Sequence, residues 1–198
     1  MVKGIYVPVD ESEPLEQREF ATLDDYQAAV DGWIEAVDVP SLGITIYVNE
    51  EGLLRHLPFN PRASFLWWFH VPGAHQAMLV GNAVIVGLPD ENGDSTDMPR
   101  EVVDLLTVAR EYAVAIQIGG ASESSGSNGK LSSILLPLTH GDPSWCLSVT
   151  RHEDYFSAAA WAVVFRERWT DAVNVRVVSA VELPRRMQIL MDALPPVD

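Results

Sequence analysis

Thr22-Leu23-Asp24-Asp25-Tyr26-Gln27-Ala28-Ala29-Val30-Asp31-Gly32-Trp33-Ile34-Glu35-Ala36-Val37 is the stretch on which the fold turns. Leu23, Tyr26, Val30, Trp33, Ile34 and Val37 recur at the spacing of one apolar helical stripe, and Asp31, Glu35 and Asp38 fall off it. Thr22 stands as an N-cap, and Asp24 and Asp25 occupy the first turn, where the helix dipole favours negative charge. The spacing predicts a helix over 23–37.

Strands flank it on both sides. Ile5 to Val9 reads as a short strand near an edge, because Pro8 cannot donate to a ladder, and Leu15 to Phe20 as its return. Gly43 to Val48 is a strand ending in the turn Asn49-Glu50-Glu51-Gly52. Asn60-Pro61 reads as an N-cap with proline in the first helical position, opening a helix through Arg62, Phe65 and Trp68 that Val71-Pro72-Gly73 ends. Ala83 to Val86, between Gly81 and Gly87, is apolar enough for a strand buried on both faces. A polar loop, 90–97, precedes a helix from Pro99 to Arg110. Beyond it come strands at 114–118, 131–138, 145–149 and 173–181, a helix at 154–169 and a final helix from Pro184. The expected class is α+β, with mixed sheets, packed helices and two small strand-strand-helix-strand units, at 3–48 and 131–181.

Charge divides the chain. Its net formal charge is −15. Residues 1–104 hold 18 Asp/Glu against 5 Lys/Arg, a net of −13, and residues 105–198 hold 10 against 8, a net of −2. We therefore expect an acidic domain over 1–97 and a near-neutral extension over 98–198. The acidic half has no basic footprint for nucleic-acid phosphates or anionic membranes. Its candidate acidic surface is Asp10, Glu11, Glu13, Asp24, Asp25, Glu50 and Glu51. The single cysteine, Cys146, fits a reducing compartment, and no apolar stretch approaches the roughly 20 residues that cross a bilayer, so the expected location is the cytoplasm.

Several constellations invite chemistry. Ser124-Ser125-Gly126-Ser127-Asn128-Gly129-Lys130-Leu131-Ser132 ends in Gly-Lys like a phosphate loop. It has Ser124 where that loop needs glycine and Leu131 where it needs a hydroxyl for magnesium, which excludes the nucleotide site. His140, Cys146 and His152 are spaced by six residues, about 20 Å along one strand and too far for a shared metal. They read as a buried cysteine between two surface histidines, with a Cys146 nucleophile paired to His140 or His152 as the enzymatic alternative. His70 and His75 lack the helical spacing of a zinc pair and read as turn residues. The loop 90–97 has oxygen ligands but departs from the calcium-loop pattern at Ser95. No metal or cofactor is expected. Arg185 and Arg186 read as partners for the acidic half. Phe65-Leu66-Trp67-Trp68-Phe69 is too aromatic all round to bury on one face; it reads first as a helix seated between the two halves, with Trp67 and Trp68, together with Asn60, Arg62 and Asn82, as the alternative ligand or partner surface.

Lys3 to Asp10, Gly32 to Val37, Tyr47 to Gly52, Leu57 to Ala63 and Val80 to Gly87, occurring in that order, resemble an uncharacterised family, a domain of unknown function met in actinobacteria and their phages. The resemblance spans the first half of the chain. It implies a fold unit and a mobile-element setting and carries no catalytic residues. Together these features favour a non-enzymatic acidic interaction protein acting on a basic host nucleic-acid-binding or defence protein. A module for a small ligand or nucleotide derivative and a cysteine-dependent enzyme are the alternatives.

Overall fold

The computed structural model describes residues 1–71, 73–108, 110–119, 135–137, 145–148 and 150–183. The Gly-Lys loop at 124–132, His140 and the helix from Pro184 with Arg185 and Arg186 lie outside the described residues. The chain forms two compact units, Met1–Val108 and Ala109–Asp198.

The first unit is built on a five-stranded sheet. Its strands are β1 (Val2–Val7), β2 (Glu16–Phe20), β3 (Ile34–Val39), β4 (Ile44–Asn49) and β5 (Ala83–Gly87), in the spatial order β2-β1-β5-β4-β3. Every pairing is antiparallel. The α+β class holds, and within it the sheets are antiparallel where mixed sheets were expected. β1 lies one strand in from the edge, paired on both sides by β2 and β5. It ends at Val7, so Pro8 falls outside the ladder, and the Val9 N–H donates to the Asn82 side-chain oxygen at 3.0 Å. Central β5 is buried at all five residues, as its uniform apolarity predicts.

The deciding stretch forms two elements, not one helix. Helix α1 spans Leu23–Val30, capped as expected by Thr22 with Asp25 in a reciprocal capping box. It stops because Asp31 turns left-handed (φ 59°) and the Gly32 N–H reaches back to the Gln27 carbonyl at 2.9 Å. The Asn49 side chain donates to the carbonyls of Val30 (3.1 Å) and Asp31 (2.7 Å), satisfying the helix end from β4. Ile34, Val37 and Val39 then follow as β3, paired from Ile34↔Asn49 to Val39↔Ile44. Val37 and Val39 share the face of Ile44 and Ile46, and Ile34 lies on the α1 face, so β-branched residues serve both faces of this edge strand.

Strand alternation sorts the core into two layers. On one face Phe20, Val84 and Val86 meet Tyr26 and Val30 of α1. The opposite face carries Ile5, Val7, Ile44, Ile46, Val48 and Ile85, all buried. Helix α2 (Pro61–His70) buries Ala63 and Leu66, and helix α3 (Arg100–Thr107) buries Val102 and Leu106. Asn60 caps α2 as predicted, accepting from the Ala63 N–H at 3.0 Å.

The second unit is a sheet of β6 (Tyr112–Ile118), β7 (Leu135–Pro137), β8 (Trp145–Ser148) and β9 (Ala172–Ser179), ordered β7-β8-β6-β9 and antiparallel throughout. Helix α4 (Tyr155–Arg168) packs on it, with Asp154 as its N-cap. Both units contain strand-strand-helix-strand in chain order, but the strands differ in neighbours. In the first, β5 and β4 stand between β1 and β3; in the second, β6 alone stands between β8 and β9.

Candidate functional site

The register decides where the acidic residues sit. β1 and β4 run one way and β2, β3 and β5 the other, so the turns after β1 and β4 share one end of the sheet. Those turns carry Asp10, Glu11, Glu13, Glu50 and Glu51, all exposed. Asp24 and Asp25 begin α1 at the opposite end, beside the loop that follows β5. The seven candidate acids therefore form two groups instead of one ridge.

The residues proposed for a ligand surface hold the first of these turns. Arg62 donates to the carbonyls of Glu13 (2.8 Å) and Glu11 (2.5 Å), and Asn82 accepts from Val9. Asn60 donates to the carbonyls of Val7 (3.3 Å) and Gly81 (2.9 Å), which with its cap bond uses the buried amide fully. Since Arg62 is occupied with carbonyls, the Glu11 and Glu13 carboxylates face water. Asp10 accepts from the Ser12 hydroxyl (2.7 Å) and N–H (2.9 Å), and these bonds hold its carboxyl below the usual aspartate range. At the other end Asp25 accepts from the N–H groups of Thr22 and Ala21, which lower its carboxyl in the same way.

Trp68 stacks on Phe59 (5.9 Å) and meets Phe65 edge to face (5.1 Å), and its indole N–H donates to the Ala77 carbonyl. Trp67 is half-buried one residue back on α2. The structure thus brings Asn60, Arg62 and Asn82 together around the end of β1 and puts the tryptophans further along α2. His70 ends α2 with Nδ1 3.0 Å from the Ser41 hydroxyl, and His75 lies in a single 3₁₀ turn.

A cleft of about 320 Å³ lies elsewhere, on the α1 face of the sheet. Phe20, Tyr26, Ile34 and Tyr47 line its apolar part, and Thr22, Asp94 and Ser95 its polar part. Tyr26 stacks on Phe20 at 4.7 Å and meets Tyr47 edge-on at 5.3 Å. The Tyr47 hydroxyl is 2.9 Å from that of Ser95. The Tyr26 hydroxyl is buried without a well-aligned hydrogen-bond partner, and burial pushes it above the ordinary tyrosine range. Sequence reading missed this cleft because its walls come from five separated segments. The one local signal was a polar-tipped Tyr47 among the aliphatics of β4.

In the second unit the cysteine reading loses one of its two candidate bases, His152, while His140, the other, lies outside the described residues. Cys146 pairs with Ile116 on β6, and His152 bridges Tyr112 four residues earlier, a separation of about 13 Å along the strand. Burial pushes the Cys146 thiol up, away from the thiolate a nucleophile needs. His152 is 1% exposed, a correction to its expected surface position. Its Nδ1 lies 3.0 Å from the Ser157 hydroxyl, and desolvation drops its pKa to about 4. The polar spacing around it gave no sign of this; the ring of Trp161 on α4 lies 6.3 Å from the imidazole, and the His152 backbone bridges to Tyr112 on β6. No group of three His, Cys, Asp or Glu among the described residues could hold a metal ion, and no helix among them is long and apolar enough to cross a membrane.

Neither a curated protein nor a solved structure matches the chain. A family model does, the domain of unknown function DUF3846, over residues 2–112. That span runs past Asp97 to take in α3 and the first residue of β6. With more than half of its length matched, the chain belongs to the DUF3846 family of domains of unknown function.

Proposed function

We propose that the first unit is a non-enzymatic interaction module whose acidic end engages a basic surface of a partner protein in the cytoplasm. The observation that carries this reading is the convergence of Asp10, Glu11, Glu13, Glu50 and Glu51 at one end of the sheet, with Arg62 spent on backbone carbonyls. The net −13 of this unit exceeds the magnitude of about 2 to 8 that keeps a small domain soluble. Complementary charge of this kind raises association rates and selects basic partners. It repels nucleic-acid phosphates. In a phage or plasmid setting the partner class is a host nucleic-acid-binding or defence protein. The test is affinity capture from host lysate with the full chain and with a variant carrying Asp10→Asn, Glu11→Gln, Glu13→Gln, Glu50→Gln and Glu51→Gln. Basic proteins held by the first, lost by the second and released by salt support the reading; identical captures refute it.

The cleft favours a second reading, a small-ligand module. Its volume is at the lower end for ligand pockets. Asp94 in its wall makes a nucleotide's phosphates the wrong charge, so the ligand class is uncharged or cationic. A thermal-shift screen with no neutral or cationic compound raising the melting temperature would remove it.

A further inference from the structure

The acidic end also holds large apolar side chains outside the core. Trp33 is 63% exposed, Leu53 59% and Leu54 82%. The Glu50 N–H donates to the Trp33 carbonyl at 2.8 Å, so Trp33, just ahead of β3, adjoins the turn bearing Glu50, Glu51, Leu53 and Leu54. That turn is closed by its own backbone. Arg55 N–H donates to Glu51, His56 to Leu53 and Leu57 to Gly52, with His56 held left-handed at φ 54°. Arg55 ties it to the end of α1, donating to the Asp31 carbonyl and, at 2.6 Å, to its carboxylate. A Cβ on Gly52 would stand 2.7 Å from Val80, so the turn is seated against the core while its leucines point away from it.

We propose that Trp33, Leu53 and Leu54 anchor a docking surface for a basic amphipathic segment of a partner protein. This rests on the acidic-interaction reading and adds to it an apolar contact at a named place. The segment's apolar side chains cover the tryptophan and leucines, and its lysines or arginines face Glu50 and Glu51. Exposed apolar groups rimmed by charge mark interaction sites, and tryptophan is the residue type most often at their energetic centre. Charge complementarity selects the occupant. A second copy would set Glu50 and Glu51 against a like-charged surface, and an anionic lipid or nucleic acid is repelled by the same carboxylates.

The test uses the full chain and two labelled peptides of equal positive charge, followed by fluorescence anisotropy at low salt. One peptide is a helix with leucine on one face and lysine on the other; the other carries lysines in a glycine-serine background. The leucine-lysine peptide is expected to bind about tenfold or more tighter. Leu53→Ser with Leu54→Ser removes that advantage and leaves the lysine-only affinity unchanged, and Trp33→Ala does so independently. Equal binding of both peptides, or an advantage that survives these substitutions, overturns the docking surface while the acidic reading stands. Binding of neither peptide overturns both. Self-association abolished by the leucine substitutions assigns the face to a second copy and also overturns the proposal.

Discussion

Acidification from pH 7 to pH 5 should destabilise the second unit through His152. The imidazole is 1% exposed, and burial holds its pKa at about 4 against an ordinary 6.5. Between those values the unfolded chain binds the proton and the folded chain does not. Stability from this group is therefore complete above pH 6.5 and is lost as the pH falls toward 4. Linkage gives a loss of about 2 kcal/mol at pH 5 and about 3 kcal/mol at pH 4. The lowered carboxyls of Asp10, Asp25 and Asp90 lose their contributions only below the ordinary aspartate value, so the two windows separate. The assay is hydrogen exchange of α4, corrected for intrinsic rates, in the wild type and in His152→Gln. The variant is expected to start less stable at pH 7, having lost the Ser157 contact, and to lack the loss between pH 7 and 5. A wild type whose α4 protection is flat over that range, or a variant with the same slope, refutes the buried neutral imidazole.

Asn60→Ala removes the α2 cap and orphans the Val7 and Gly81 carbonyls, so urea unfolding of the first unit should show a loss of about 2–4 kcal/mol. Gly4→Ala sets a Cβ 2.5 Å from the Ile85 carbonyl and 2.7 Å from Val86, where the backbone cannot yield, and should cost about 1–3 kcal/mol by the same measurement. Cys146 should react with iodoacetamide at pH 7.5 more slowly than a free thiol does; faster alkylation would revive the enzymatic reading.

The parts of the fold legible in the sequence were those with local causes. Asn60-Pro61 announces its cap, and the unbroken apolar run of β5 announces a central strand. The 23–37 stretch misled because its apolar steps suit a helix throughout and show no period of two after Asp31. What chose was remote: the Asn49 amide from β4 closes the helix end, and pairing with β4 draws Ile34 to Val39 into the sheet. The acidity was legible as composition, yet its division between two ends of the sheet needed the register. His152 was unreadable for a similar reason, since the residues that bury it come from β6 and α4. Asn60, Arg62 and Asn82 were grouped with the tryptophans as a candidate surface; their hydrogen bonds show that they hold the β1 turn in place.

Chemical-shift mapping of the full chain, titrated at low salt with a lysine- and arginine-rich peptide, tests the central claim most directly. The account predicts shifts concentrated at Asp10 to Glu13 and Glu50 to Leu54 that fade as salt is raised, with Asp24, Asp25 and the 90–97 loop little changed. Shifts centred on α1's start and that loop, shifts spread evenly over both ends, or none at all would contradict it.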